Sequence, residues 1–217
     1  PMLIRFVAFF AVALPMQAAE PFAQVVDDYY KAQFAWDPGS ATYAGIHDFD
    51  DKLPDLSERS IERRRAELKT FLAKLIVLKQ AKFVDADAID AEVLEHAIRA
   101  ELLELEVVKD WRRNPVVYLG KPAEAIDQLM KRSFAPAPER LKLIVGRLKM
   151  APTLLAAMKA NVENPPKEFA DLGLIVAKGS VEFFSKDLHE WAKDAGKGDA
   201  ELMHQFEAAN KDVVVAF

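Results

Sequence analysis

The sequence predicts an all-α protein, a bundle-like array of about seven or eight helices, and three observations support this. Hydrophobic residues make up 51% of the chain and only eight residues are glycine, a composition typical of a packed helical domain. Apolar residues recur at intervals of three and four along most of the sequence. Proline and glycine clusters fall between these stretches, where helices must end. The 217 residues can bury one sizeable core.

The beginning of the chain has the pattern of a signal peptide over residues 1–19. A short positive region at Arg5 is followed by an apolar stretch that is too short to span a bilayer as a helix. Small residues then lead to a predicted cleavage after Ala19, with Ala18 as the alternative. The chain has no cysteine, which excludes a lipobox anchor, disulfides and thiolate chemistry. We therefore expect an exported protein, periplasmic or extracellular, without a stable membrane anchor, whose residues 20–217 form a single helical domain.

A helix, an ordered loop and a second helix are predicted in the first third of the chain. Asp37 ends the first helix, because a residue before proline, here Pro38, is displaced from the α region. Gly45 marks a tight backbone position in the loop. Ser57 is placed to cap the second helix by accepting hydrogen bonds from its free amides. That helix has an apolar stripe of period 3.6, formed by Ile61, Leu68, Phe71, Leu72, Leu75 and Leu78.

The next helix is predicted to begin at Asp85 or Asp87, either of which can cap it, and to end near Lys109. Two apolar stripes run along it, so we expect burial on two sides. The first stripe consists of Leu94, Ile98, Leu102, Leu105 and Val108, and the second of Ile89, Val93, Leu103 and Val107. Asn114-Pro115 ends the segment, and the short run 116–120 that follows does not indicate a sheet.

In the second half of the chain, prolines mark where helices are predicted to start or break. Pro138 suits the first turn of a helix, and Pro152 either kinks that helix or starts a new one. The next helix follows the break at residues 164–166. Asp199 is predicted to cap the last helix, which ends in the apolar run 213–217. We expect this run to be exposed, as in a domain truncated at its C-terminus.

The distribution of charge argues against nucleic acid as a partner. A net charge of −5 without a basic stripe predicts no nucleic-acid binding. The basic run 63–65 is flanked by glutamates and indicates a solvated helix face, with a phosphate or lipid contact as the alternative. A wet helix face is also the interpretation of the carboxylates Glu92, Glu95, Glu101, Glu104 and Glu106.

Two polar clusters are the candidates for chemistry. His189-Glu190 begins like a zinc motif, but Lys193 stands where the second imidazole is needed, and a cation repels the metal. The loop 47–51 gathers one imidazole and three carboxylates, which can bind a divalent cation through oxygen. A hydrogen-bonded, Asp-rich turn is the simpler interpretation of this loop. No catalytic, metal or cofactor residue is predicted, and the candidates for a ligand contact are His47, Asp48, Asp50 and Asp51.

Aromatic side chains form a patch on the first helix. The patch consists of Tyr29, Tyr30, Phe34 and Trp36. Packing in the core is one role for such residues, and forming the wall of a peptide groove is the other.

Several segments together carry a family resemblance. In order they are DDYY, DPGSATYAGIHDFDDKLPDLS, ERRRAEL, RRNPVVYLG, FAPAPERL, RLKMAPTLLAAMKANVENPPKEF and the helix through Lys178-Gly179. Their order and spacing resemble the bacterial domain-of-unknown-function family 885, whose members are grouped by resemblance with zincin-type metallopeptidases. The resemblance covers roughly residues 22 to 190.

The resemblance implies that this chain is the N-terminal helical part of a larger zincin-like fold. In such enzymes helices flank a substrate channel, and zinc is held by a motif in the C-terminal half, which would follow Phe217. The implied function is therefore part of a secreted, zinc-dependent peptidase-like protein that shapes the channel but is inactive alone and holds no cofactor. Its implied partners are a peptide substrate, the missing C-terminal half or, by self-association, another copy. The alternative is a self-standing periplasmic module that binds a peptide or protein without catalysis.

Overall fold

The computed structural model describes residues 22–80 and 86–217, and these residues form helices without any strand. The first helices are α1 (Phe22–Trp36), α2 (Pro38–Ala44), α3 (Glu58–Lys79) and α4 (Ala86–Leu103), which continues as a π-helical segment over Glu104–Val108. The next are α5 (Asp110–Arg113), α6 (Val116–Leu119), α7 (Lys121–Lys131) and α8 (Ala137–Asn161). The last are α9 (Lys167–Glu182), which continues through a π-helical segment over Phe183–Asp187 into α10 (Leu188–Ala195), and α11 (Ala200–Ala216).

This architecture confirms the predicted all-α class. Each π-helical segment is counted with the helices that it joins. The described ranges then contain eight helices of seven or more residues and two single-turn helices, α5 and α6. The predicted signal peptide and the possible cap at Asp85 lie outside the described residues. Among the helices of the described ranges, none has the length and apolar character needed to cross a membrane.

The first segment of the chain follows the local signals, with one difference. Ser57 caps α3, and its side chain accepts a hydrogen bond from the Ser60 amide at 3.3 Å. Gly45 adopts a left-handed conformation with φ of 83°. The expected loop is partly helical, because Pro38 occupies the first turn of α2, where its ring is compatible with helix and its missing amide costs nothing.

Helix α8, of 25 residues, packs against both α7 and α11. Pro152 lies inside α8 without ending it, so the alternative that this proline starts a new helix is wrong. The buried face of α8 extends to both sides of the proline and consists of Leu141, Ile144, Val145, Leu148, Ala151, Leu154 and Leu155. Packing on both sides offsets the hydrogen bond that the proline removes.

The C-terminal run is packed, so the expectation of an exposed end is wrong for most of it. Val213 is fully buried, and the Phe217 ring lies 5.7 Å from the Phe184 ring. Val215 alone in this run is strongly exposed. Residues four apart share one face of a helix, so α11 turns Val213 and Phe217 inward together.

The helix α4 is buried on one side, and the expected burial of its second side is wrong. Leu94, Ile98, Leu102 and Leu105 of the first stripe belong to the core. The second stripe, comprising Ile89, Val93, Leu103 and Val107, is 66, 63, 54 and 71% exposed. The packing of α4 against α3 covers one face only, and in the described ranges nothing buries the opposite face.

Ion pairs join α3 to α4, and Arg64 is the central one. Its side chain is only 1% exposed, and Nε and Nη2 donate to the two carboxylate oxygens of Glu101 at 2.8 and 2.9 Å. Burial lowers the pKa of Arg64, but the hydrogen bonds and charges of Glu101 and Glu67 outweigh it and leave the pKa above its usual value. The expected solvated face is therefore wrong at Arg64. It is also wrong for the α4 carboxylates that pair with cations of α3, namely Glu95, Glu101 and Glu106.

Candidate functional site

The loop between α2 and α3 turns one of its carboxylates into the protein. Asp50 is fully buried and accepts a hydrogen bond from the Thr42 hydroxyl, which lies 2.5 Å from Oδ1. Its second oxygen, Oδ2, lies 2.7 Å from His47 Nδ1. Both carboxylate oxygens of Asp50 are therefore already hydrogen-bonded, one to a residue of α2 and the other to a residue of the loop itself.

A guanidinium from α8 completes this cluster. Arg147 is fully buried, and its Nη2 donates to Thr42 Oγ1 at 2.6 Å and lies 3.8 Å from Asp50 Oδ1. Its Nη1 donates to the carbonyl oxygen of Ala125 in α7. Burial lowers the pKa of Arg147 to about 10, against the opposing influence of Asp50 and Asp51, so the group is charged at neutral pH. We call Thr42, His47, Asp50 and Arg147 the Asp50 cluster.

The imidazole of His47 is the accessible end of the Asp50 cluster. Its ring stacks on Phe134 with 4.0 Å between centroids, while the side chain is 41% exposed. When Nδ1 donates to the Asp50 carboxylate, Nε2 becomes the acceptor of the ring. Such histidine–carboxylate pairs hold an imidazole in one orientation in metal and catalytic sites. Here the arrangement presents one oriented imidazole at the surface.

The four candidate contact residues are only partly brought together. The structure unites His47 with Asp50, whereas Asp48 and Asp51 are exposed. The Asp51 carbonyl oxygen instead lies against Gly146 of α8, so tightly that an added Cβ would be 2.7 Å away. This close approach anchors the loop on α8.

Sequence reasoning missed Thr42 and Arg147, although Arg147 leaves a signal. It lies three residues after Ile144 and four before Ala151, on the apolar stripe of α8. An arginine at a core position needs a buried partner, since burying an unpaired charge is costly. The partner, Asp50, was a candidate contact residue in its own loop, but nothing in the sequence links it to Arg147, which lies nearly a hundred residues away.

A zinc site is not formed by His189 and Glu190. The His189 ring is half-buried, 6.0 Å from the Phe206 ring, whereas Glu190 and Lys193 are exposed. Across residues 22–80 and 86–217, no three His, Cys, Asp or Glu residues are grouped so as to hold a metal ion. Within these two ranges, the residues therefore do not fit the zinc that the resemblance implies for the family.

A groove of about 490 Å³ runs between α1 and α4. Its α1 wall is formed by Val26, Tyr29, Tyr30 and Gln33, and its α4 wall by Asp90, Val93, Leu94 and Ala97. Tyr29 is buried with its ring 5.6 Å from Phe71, and burial, followed by the Glu101 charge, raises its pKa. Tyr30 is 49% exposed at the rim. Within the aromatic patch, Tyr29 is buried in the core, and both Tyr29 and Tyr30 line this groove.

A smaller cavity of about 240 Å³ lies between α2 and α7. It is lined by Asp37, Gly39, Ser40, Tyr43, Pro54, Lys121, Glu124, Ala125 and Gln128. Lys121 Nζ and Asp37 Oδ2 form an ion pair of 3.7 Å in its wall. The charged wall distinguishes this cavity from the more apolar α1–α4 groove.

The fold has a relative among solved structures. This is a *Shewanella oneidensis* protein, provisionally described as a lipoprotein of unknown function, which is 25% identical and superposes with a TM-score of 0.79. The match covers 91% of this chain but 36% of that chain, so the present chain spans about a third of the relative's length. No curated protein matches the sequence.

A protein family also matches over most of the chain. It is described as "Bacterial protein of unknown function (DUF885)", and the match extends over residues 38–217. This range includes the Asp50 cluster, α4 and all the helices that follow. The chain therefore belongs to the bacterial protein family DUF885.

Proposed function

We propose that this chain is the N-terminal helical part of an exported, peptidase-like protein and that its α1–α4 groove holds an extended peptide. The observation that carries the proposal is the groove itself, with a volume of about 490 Å³, a buried tyrosine in its α1 wall and an exposed tyrosine at its rim. The resemblance of family members to zincin-type metallopeptidases supports a peptide as the ligand. The lipoprotein description of the *Shewanella oneidensis* relative supports export.

The chemistry of the groove suits a peptide. Val93 and Leu94 offer apolar surface to side chains, and Tyr30 combines a flat apolar ring with a hydroxyl. Gln33 and Asp90 supply polar groups in the same lining. Pockets of this kind, largely apolar with a few polar groups, bind ligands by burial and orient them by hydrogen bonds.

Catalysis is assigned to a part of the protein that this chain does not span. The donor set found here does not fit zinc, because His189 and Glu190 differ in burial and Lys193 occupies the position of the second imidazole. This chain contributes binding and orientation of the substrate, and we expect the isolated chain to leave peptides intact.

The test is peptide binding to a variant that fills the groove. Ala97 is an exposed alanine of the groove wall, and Ala73 is an exposed alanine on α3 outside it. A mixed set of unstructured peptides is screened by fluorescence anisotropy against the wild type, Ala97→Trp and Ala73→Trp. We expect Ala97→Trp to weaken binding by about tenfold or more and Ala73→Trp to leave it within about twofold. Peptide binding that is absent, or that Ala97→Trp leaves unchanged, contradicts the proposal.

The alternative function is a self-standing helical module that binds a peptide or protein without catalysis. The observation that favours it is the core, in which buried residues from α1 through α11 form one cluster. The two functions differ in what the isolated chain does in solution. A monomer that binds no hydrophobic dye favours the module, whereas a folded chain that binds dye or self-associates favours a part that lacks its neighbour.

A further inference from the structure

We propose that the outward face of α4 docks an amphipathic helix that carries basic residues beside its apolar face. This helix belongs to polypeptide of the kind that the longer Shewanella oneidensis relative has beyond the 36% of its length matched here. The surface, which we call the α4 seam, consists of Ile89, Val93, His96, Ala100, Leu103 and Val107. All six side chains are exposed.

The spacing of the α4 seam is that of a helix–helix contact. Its members follow one another at intervals of 4, 3, 4, 3 and 4 residues, which is the heptad repeat of a coiled-coil seam. Such a repeat keeps its side chains on one narrow face along the whole helix. From Ile89 to Val107 the face is about 27 Å long at 1.5 Å per residue, enough for five turns of a partner helix.

The size of the side chains favours a close approach. Large aliphatic residues occupy both ends of the α4 seam, while Ala100 lies near its middle. A small residue between larger ones lets the side chains of a second helix interdigitate at an axial distance of about 8–10 Å. The seam therefore matches a helix better than it matches a flat surface.

Charge identifies the chemistry of the partner. The segment from Ala86 to Val108 carries seven carboxylates and a single arginine, Arg99. On the side facing α3, the carboxylates are paired with cations of α3. Asp90 and Glu92 border the seam on opposite sides, are exposed, and form no ion pair within the described ranges. A partner helix with Lys or Arg beside its apolar face complements them.

The same charges argue against a second copy of this chain as the occupant. Two α4 seams paired in parallel would bring Asp90 and Glu92 of one copy near those of the other, and antiparallel pairing would bring them near Glu106 and Glu104. Like charges in an interface are repulsive. The *Shewanella oneidensis* relative offers another source of helices, because this chain matches 36% of it. Additional polypeptide of that length is where we place the docking helix.

The test uses two designed peptides of about three heptads each. Both have leucine at the 4-3 spacing, one with Lys beside the apolar face and the other with Glu at the same positions. Binding of the labelled peptides is measured by fluorescence anisotropy to the wild-type chain, Leu103→Asp and the matched control Val77→Asp. Leu103 is 54% exposed within the seam, and Val77 is 60% exposed on α3 outside it.

We expect the Lys peptide to bind the wild type and Val77→Asp equally. Its binding should be weaker by about tenfold or more for Leu103→Asp, and the Glu peptide should bind the wild type more weakly than the Lys peptide by a similar factor. The proposal is overturned if the Lys peptide does not bind, if both peptides bind alike, or if Val77→Asp weakens binding as much as Leu103→Asp. A wild-type dimer in sedimentation that Leu103→Asp converts to a monomer also overturns it, because the occupant is then a second copy. Leu103 does not line the α1–α4 groove, so failure here is separate from failure of the extended-peptide test.

Discussion

At the scale of single residues, Asp50 and Arg147 show how the loop after α2 is held. The pair is fully buried, and Thr42 bridges it by donating to Asp50 and accepting from Arg147. A buried ion pair is often no more stabilising than apolar residues of the same size, but removing one partner leaves an uncompensated charge. The contribution of this pair is therefore to specify one arrangement of α2, α7 and α8. That arrangement also orients the exposed imidazole of His47.

Two glycines in helices, Gly146 and Gly179, are predicted to change stability in opposite directions when each is replaced by alanine. Glycine-to-alanine in a helix interior normally stabilises by about 0.5–1 kcal/mol. At Gly146 the new Cβ would lie 2.7 Å from the Asp51 carbonyl oxygen, whereas at Gly179 it would meet no atom within 4 Å. We expect Gly146→Ala to lower the free energy of unfolding by about 1–2 kcal/mol and Gly179→Ala to raise it by about 0.5–1 kcal/mol.

Urea unfolding followed by circular dichroism measures both changes. Gly179→Ala is the matched control, since it makes the same chemical change in a helix without a close neighbour. If Gly146→Ala is also more stable than the wild type, the loop does not close on α8 as described.

At the scale of elements, α3 and α4 are joined by an apolar stripe and a row of ion pairs. Hydrogen bonds from Lys79, followed by Arg99, lower the pKa of Glu95. Hydrogen bonds from Lys69, followed by Arg65, lower the pKa of Glu106. A carboxylate whose pKa is lower in the folded state stabilises the fold above its unfolded pKa, and that contribution is lost as the pH falls through the folded value.

The α3–α4 ion pairs therefore predict part of the acid sensitivity of the protein. Lowering the pH from 5 to 3 protonates these glutamates, whose unfolded pKa is about 4.3. We expect the Tm of the double variant Glu95→Gln/Glu106→Gln to fall less over this range than that of the wild type. The difference should be a few degrees at most, because both carboxylates remain partly exposed and water weakens their ion pairs. Differential scanning calorimetry at several pH values measures it.

The control for the acid prediction is the double variant Glu168→Gln/Glu182→Gln. Both of these glutamates are exposed on α9. As the pH is lowered, the Tm of this control variant should fall as much as the Tm of the wild type. An equal fall in all three proteins would mean that the α3–α4 pairs make no net contribution.

At the scale of the whole molecule, we predict that this chain holds no zinc by itself. The described ranges group no three metal-ligating residues, and Lys193 stands four residues after His189. We expect the purified chain to retain well under one zinc per molecule after dialysis, measured by elemental analysis. The variant Lys193→His places two imidazoles one turn apart on α10 and should bind zinc measurably, though more weakly than a site with three ligands.

The zinc prediction has a clear contrary outcome. One tightly bound zinc in the wild type would show that His189 and Glu190 recruit ligands not grouped with them here. It would also direct attention to the oriented imidazole of His47. Equal zinc content in the wild type and Lys193→His would mean that the missing second imidazole at position 193 does not explain why the wild type binds zinc weakly.

The sequence by itself determined most of the long helices and several of their ends, because these depend on neighbours in the chain, although α2 formed within a predicted loop. Ser57 and Asp199 cap the helices that they precede, with side chains bonded to amides three residues ahead. The apolar stripe of α3 identified its buried face correctly. Gly45, for which a tight backbone position was predicted, adopts a left-handed conformation.

Only the tertiary structure decided which faces found a partner and which polar groups met. Two apolar faces of α4 look alike in sequence, yet one packs on α3 while Ile89 and Val107 remain exposed. Arg64 belongs to a charged run but is buried and paired with Glu101, a residue on another helix. Asp50 and Arg147 likewise meet across nearly a hundred residues. Periodicity records that a face is apolar or charged, but burial depends on what lies opposite, and that is set by how the helices pack.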